Sequence, residues 1–284
     1  MSPTWQGAPL PPDPPIGFVG WLHVLRRGLP VAAVLIVGVL LSLLSRPLER
    51  LCFGASRPIT GRITVAVCRA VLWLIGLRVQ VSGKPLTGAG VNVSNHISWL
   101  DIFVLNSQQP LYFVSKSEVA GWPGIGLLAK VTGTVFIRRD RREAAAQTRL
   151  FQTRLLQNHR LLFFPEGTST DGLRVLPFKT TLFAAFFDDS LRDRMQLQAI
   201  SLGYEAPKGA DSRFYGWWGD MDFASGLLRV LAQPRQGQTR MLFHPAVPVA
   251  DFADRKALAR HLETQVRAGK GPQASAVHRG DQAL

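Results

Sequence analysis

Cysteine is nearly absent from this chain, with two in 284 residues. Cys52 and Cys68 lie in apolar segments and make no C-x-x-C pair, which leaves neither a disulfide framework nor a thiolate metal site. A reducing compartment fits that usage. Acidic residues are few as well, 19 against 33 Lys and Arg, for a formal net charge of +14. Such a balance calls for an anionic partner: nucleic acid, acidic phospholipid or an acidic carrier. Several chemistries lack their signatures. There is no G-x-S-x-G elbow for a covalent serine, no Walker A loop for phosphoryl transfer and no H-E-x-x-H for zinc hydrolysis. No internal repeat is visible. The length suits one large domain, or one domain with an appendage. Hydrophobic residues make up 46%, high for a soluble domain and low for a protein of many membrane spans.

Residues 1–17 carry six prolines and read as a disordered or polyproline leader. Gly28–Ser45 is uncharged and bounded by Arg26-Arg27 and Arg46. Eighteen helical residues rise roughly 27 Å, enough to cross a hydrocarbon core. A signal peptide fits less well, because no small-x-small cleavage site follows. The segment is expected to anchor the chain in a membrane, spanning or re-entrant. Arg46, Arg50, Arg57 and Arg62 follow it, and this slight excess places the remainder on the cytoplasmic side. Ile63–Leu77, interrupted by Arg69, reads as an amphipathic helix lying on the membrane or on the domain.

From Arg78 onward, short apolar strands alternate with helices, which predicts an α/β domain with a mixed sheet flanked by helices over 78–268. The expected strands are Leu77–Ser82, Gly90–Ser94, Leu111–Ser115, Thr134–Arg138, Arg160–Phe164, Gln196–Tyr204 and Arg240–Val247. The expected helices are Ser98–Asn106, Ser117–Thr132, Arg142–Asn158, Pro177–Ser190, Gly219–Leu231 and Asp254–Arg267. Residues 269–284, small and polar, read as a flexible tail. His159 and His261, among polar neighbours, are expected at the surface, and His244 as a structural histidine in a late strand.

One stretch joins a buried strand to a helix and carries a His and an Asp: Val93-Ser-Asn-His-Ile-Ser-Trp-Leu-Asp101. Two side chains five apart on one helix point to different faces. His96 and Asp101 therefore meet only if His96 precedes the helix and Asp101 lies on its first turn. The carboxylate would then hold one ring nitrogen and leave the other free to take a proton. The bland alternative is a capping box, Ser98-x-x-Asp101, with His96 in a loop.

Two further stretches bear on the choice. Arg138, Arg139, Arg141 and Arg142 follow an apolar strand at the start of a helix, where their charge opposes the helix dipole. They read as anion binders rather than as helix stabilisers, since guanidinium forks suit phosphate and carboxylate. Phe164-Pro-Glu-Gly-Thr168 closes another apolar strand. Glu166 is costly there without hydrogen-bond partners or work to do, and Gly167 permits a sharp turn or close approach to a ligand. Strand ends of open α/β sheets are where ligands bind.

Asn95-His96-x4-Asp101, then Gly133-x-x-Phe136-Ile137-x-Arg139, then Phe164-Pro-Glu-Gly-Thr168, in that order, resemble the first three motifs of the glycerolipid acyltransferase family. The likeness spans roughly residues 78–250. It implies transfer of a fatty acyl group from an acyl carrier protein or coenzyme A thioester to a lyso-lipid hydroxyl, with no cofactor beyond that co-substrate. It implies His96 as general base with Asp101 orienting it, and Glu166, Gly167 and Thr168 at the acceptor and reaction site. Arg138 and Arg139 would hold an anionic headgroup or donor phosphate. It also implies a bacterial inner-membrane enzyme. The family's third motif commonly continues with an arginine where this chain has Ser169. That departure, with Pro177-Phe-Lys179 and Tyr215-Gly-Trp-Trp-Gly-Asp220, resembles the branch of lyso-ornithine lipid acyltransferases more than that of the 1-acyl-sn-glycerol-3-phosphate enzymes. The expected acceptor is either lyso-lipid or both. The rival, a basic nucleic-acid-binding protein, leaves the apolar run without a purpose, so no nucleic acid is expected as a partner.

Overall fold

The computed structural model describes residues 5–11, 15–122, 124–137 and 144–270. Eight strands form one mixed sheet: β1 (Arg78–Ser82), β2 (Gly90–Ser94), β3 (Tyr112–Lys116), β4 (Val135–Ile137), β5 (Arg160–Phe163), β6 (Gln196–Glu205), β7 (Gln238–Phe243) and β8 (Val247–Pro248). Their order is β1-β7-β6-β2-β5-β3-β4, with β8 on β6. From β6 to β4 the neighbours are parallel, whereas β7 and β8 run antiparallel to β6. The C-terminal ends of β2 and β5 thus lie side by side on one edge, and the two strand-end motifs leave from there.

Helices cover both faces: α1 (Phe18–Phe53), α2 (Pro58–Ile75), α3 (Asp101–Asn106), α4 (Ile125–Thr132), α5 (Ala144–Leu156), α6 (Asp189–Arg192), α7 (Phe223–Ala232) and α8 (Arg255–Gly269). The alternation of side chains along the strands sorts the core in two. Val91, Val93, Leu161, Phe163, Leu197 and Ala199 pack with α5, α8 and the 3-10 turn Leu182–Phe187. Leu162, Ile200 and Leu202 pack with α1, α2, α3 and α7. Burying each such aliphatic side chain is worth about 1.5–3 kcal/mol.

The anchor is longer than the uncharged run. α1 has 36 residues and continues through Pro30 and Pro47. Arg27 does not end it, because that side chain is buried and donates to the carbonyls of Leu231 (3.0 Å), Gln233 and Pro234 (3.0 Å) at the end of α7. A guanidinium there satisfies carbonyls that the helix leaves open. Arg69 likewise ties α2 to the end of α3 through the Ser107 carbonyl at 2.6 Å. Both α1 and α2 are long and apolar enough to cross a membrane.

Several elements depart from the sequence reading. The expected helix Ser117–Thr132 is a 3-10 turn, Ser117–Gly121, then α4, parted where Gly124 takes φ 70°. Pro177–Ser190 holds the 3-10 turn Leu182–Phe187 in place of an α-helix. The leader is not free where it is described: the Ala8 carbonyl accepts from Trp218 Nε1 (3.1 Å) and the Pro9 carbonyl from Arg213 (3.0 Å). Gly269 and Lys270, assigned above to the tail, close α8 and pack into the domain.

His159, expected at the surface, is 2% exposed and stacks on Tyr112 at 4.0 Å. Burial, with Arg154, Arg57 and Arg46 nearby, lowers its pKa from 6.5 to about 4. The unfolded chain therefore takes up a proton between those values that the folded one refuses. Stability from this group is present above pH 6.5 and is lost as pH falls through about 4. His159→Gln is expected to flatten that acid limb, read as the change in urea midpoint between neutral and acidic buffer.

Candidate active site

β2 ends at Ser94, and the next residue continues the sheet by side chain. Asn95 donates Nδ2–H to the Leu202 carbonyl (3.0 Å) and accepts the Leu202 N–H on Oδ1 (2.8 Å). This amide pair replaces a ladder step and fixes where the chain leaves the sheet. His96 then turns over the sheet edge, its ring stacked on Phe164 at 3.9 Å and an angle of 10°. Its main chain is held on both sides. The N–H donates to Glu166 Oε1 at 2.7 Å, and the carbonyl accepts from Thr170 N–H at 3.1 Å.

His96 Nδ1 lies 2.8 Å from Asp101 Oδ2. A carboxylate only accepts, so Nδ1 carries the hydrogen and Nε2 keeps its lone pair. Asp101 is fully buried and has further donors. Oδ2 accepts from the Ile97 N–H (2.7 Å) and Ser98 N–H (3.1 Å), and Oδ1 from the Tyr204 hydroxyl (2.8 Å). Burial and the neighbouring Asp101 raise the Tyr204 pKa well above its ordinary value, which keeps it a donor. The two readings of this stretch coexist. α3 begins at Asp101, while the Ser98 N–H returns to Asp101 as in a capping box and the Ser98 hydroxyl accepts from Leu100 N–H (3.3 Å). Capping and orientation of His96 use one carboxylate.

Pro165 and Glu166 occupy a turn closed by Gly167 N–H to the Phe164 carbonyl (3.1 Å), with Gly167 at φ 77°. Glu166 is buried, and Oε2 accepts from Leu176 N–H (2.6 Å). Its carboxylate therefore joins the His96 main chain to the 171–176 loop. Complete burial raises its pKa, against the pull of those two N–H groups and of Lys270. Lys270 donates to the Gly172 carbonyl and, at 3.2 Å, to that of Arg174. Burial lowers the Lys270 pKa, opposed by Glu166, Asp171 and Asp101. Thr168 accepts the Trp5 N–H on its hydroxyl (3.3 Å), so the leader meets the motif. Arg174 bridges to Asp171 (3.2 Å) and stacks on the Trp5 ring at 5.0 Å.

The structure thus brings His96, Asp101, Glu166, Gly167 and Thr168 to one sheet edge. Arg138 and Arg139 lie outside the described residues. Sequence reasoning missed Tyr204, Lys270, Phe164 as a stacking partner and the leader residue Trp5. Tyr204, next to last in β6, is one of three tyrosines in the chain, and no local pattern links it to Asp101. Trp217 borders the site as well, its N–H bonded to the Ile97 carbonyl (2.9 Å) and its ring set edge-on to Trp122 at 6.1 Å. Trp122 is 42% exposed. The surroundings of His96 are therefore aromatic on the side of Phe164 and Trp217, and the carboxylates that hold it are satisfied. Such a site can take a proton from a hydroxyl. Tyr204→Phe is expected to lower turnover by about tenfold or less, since one donor to Asp101 is lost and three remain. Activity at saturating substrate checks this.

Residues 78–191 match the family model described as Acyltransferase. The chain is 53% identical over 269 residues to the lyso-ornithine lipid O-acyltransferase of Rhodobacter capsulatus, covering 95% of this chain and 98% of that protein. It is 31% identical over 212 residues to the 1-acyl-sn-glycerol-3-phosphate acyltransferase of Neisseria meningitidis, 73% of this chain and 80% of that one. The crystal structure of the 1-acyl-sn-glycerophosphate acyltransferase of Thermotoga maritima has the same fold, with a TM-score of 0.62 at 17% identity over 88% of this chain and 95% of that one. With that extent of similarity the chain belongs to the acyltransferase family.

Proposed function

We propose that this chain moves a fatty acyl group from a thioester, carried by acyl carrier protein or coenzyme A, to the free hydroxyl of lyso-ornithine lipid. The observation that carries the chemistry is His96, oriented through Nδ1 by Asp101 and stacked on Phe164, with Nε2 keeping its lone pair. The acceptor hydroxyl gives its proton to Nε2 as its oxygen attacks the thioester carbonyl carbon. The C–S bond then breaks, and the departing thiolate takes that proton back from His96, so the histidine returns to its starting state. No enzyme nucleophile is required. Glu166 positions His96 through its main chain. Gly167 and Thr168 border the acceptor, and Arg138 and Arg139 meet an anionic group of donor or acceptor.

The acceptor assignment rests on the extent of similarity to the Rhodobacter protein, nearly end to end, and on Ser169 in place of the arginine expected of phosphate-specific relatives. The second reading, 1-acyl-sn-glycerol-3-phosphate, has support from the Neisseria relative. Purified protein offered both acceptors in parallel with each labelled thioester is expected to esterify lyso-ornithine lipid faster. Exclusive esterification of lysophosphatidate would reverse the assignment.

The membrane reading is supported by α1. At about 1.5 Å per residue its 36 residues exceed the roughly 30 Å hydrocarbon core. Its start is held to α7 by Arg27, and Glu49 near its end accepts from Ile59 and Thr60 at the head of α2. The outward face stays apolar, with Leu25, Leu29, Ile36, Leu40 and Leu44 exposed. We read the helix pair as lying along the domain and immersed in one leaflet, the cytoplasmic leaflet of the bacterial inner membrane.

A further inference from the structure

The turn between α1 and α2 gathers cations whose charges are not answered. Arg46 lies in the last turns of α1 and Arg57 immediately before α2, while Arg154 comes from the end of α5. The buried Nη1 atoms of Arg46 and Arg57 have no hydrogen-bond partner among the described residues. Arg154 sits over the Tyr112 ring at 5.9 Å, and His159 stacks on the same ring at 4.0 Å. Gly133, at φ 83°, leaves the room that the Arg57 guanidinium fills, since a Cβ there would collide with Nη1. The nearby acid, Glu49, is already engaged. It accepts from Ile59 N–H (2.7 Å), Thr60 N–H (2.9 Å) and the Thr60 hydroxyl (2.8 Å).

Burying guanidinium ends without partners is costly unless an anion meets them. Burial, then Arg46 and Arg154, lowers the Arg57 pKa to about 10, against the weaker effects of Tyr112 and Glu49. The place is not the reaction site. Tyr112 and His159 stand at the N-terminal ends of β3 and β5, and His96 and Glu166 leave the opposite edge of the sheet. Forked donors converging from three elements suit the oxygens of a phosphate. The last turns of α1 expose Leu44, Leu48, Leu51 and Phe53 at 75, 57, 84 and 52%. Phosphate donors beside an apolar shelf are the two halves of a phospholipid site.

We propose that Arg46, Arg57 and Arg154 form a second anion site that takes the headgroup phosphate of an anionic membrane phospholipid. The full chain in neutral detergent tests this through its thermal midpoint and through vesicle binding. Phosphatidylglycerol is expected to raise the wild-type midpoint, and phosphatidylcholine is not. Arg57→Met and Arg46→Met relieve repulsion among unanswered charges, so their midpoints without lipid are expected to equal or exceed that of wild type, and the rise with phosphatidylglycerol disappears. The double variant is expected to lose about tenfold or more of its preference for phosphatidylglycerol-containing over pure phosphatidylcholine vesicles. Arg50→Gln, on the same helix end and exposed, keeps that preference. Coenzyme A and inorganic phosphate are run as soluble phosphates. Protection by either that matches phosphatidylglycerol and vanishes in Arg57→Met overturns the lipid occupant. A fall in lipid-free midpoint for Arg57→Met, or a preserved rise with phosphatidylglycerol, overturns the site.

Discussion

His96→Ala is expected to lower turnover about 10³-fold, the usual worth of a positioned general base. The loss should come with little change in stability. The backbone bonds at this position, N–H to Glu166 and carbonyl from Thr170, survive the substitution. Asp101 keeps the donors Ile97, Ser98 and Tyr204. What disappears is the lone pair at Nε2, the Nδ1 hydrogen bond to Asp101 and the stacking on Phe164. Turnover at saturating acceptor, set beside the circular dichroism and thermal midpoint of the same preparation, separates the two effects. Near wild-type turnover by a folded His96→Ala protein would mean that the hydroxyl loses its proton elsewhere.

Lys270→Met is expected to produce the largest loss of stability of any single change in the site. Two carbonyls of the 171–176 loop lose their donor, and the buried Glu166 carboxylate loses a cation that offsets its burial. Leaving a buried carbonyl without its donor typically costs about 1–3 kcal/mol. Activity falls with it, because the same carboxylate fixes the His96 main chain. A double-mutant cycle with Glu166→Gln measures the coupling directly. The combined loss is expected to be smaller than the sum of the single losses by about 1 kcal/mol or more, and strict additivity would show that the two groups do not sense each other.

The parts of this molecule that were legible in the sequence are those that local chemistry fixes. Gly90–Ser94 is legible because Val91 and Val93 mark a short buried strand and turn residues flank it. The His96–Asp101 contact was legible because their spacing permits it only across a strand-to-helix junction, and the junction is there. Asp254 begins α8 as its spacing predicts, accepting from Lys256 and Ala257 N–H. Illegible were the contacts made only in three dimensions. Lys270 reads as a tail lysine until α8 delivers it to the Gly172 and Arg174 carbonyls. Tyr204 reads as a strand residue until β6 pairs with β2 and sets its hydroxyl on Asp101. Pro177–Ser190 misled for another reason. Leu182–Phe187 carries a helical composition, yet it forms a 3-10 turn that buries Phe183 and Phe186 in the core. The leader's prolines forbid a core of its own, but its tryptophan and carbonyls dock onto one already built.

The central claim is that this site passes an acyl group directly from thioester to lipid hydroxyl. Labelled acyl carrier protein is given to the purified chain with lyso-ornithine lipid, with lysophosphatidate, and with a lyso-ornithine lipid lacking the free hydroxyl. The expected result is label in the lipid ester only where the hydroxyl is present, with none retained on the protein. Label that stays on the thioester with both acceptors, or that settles on the protein, contradicts the account.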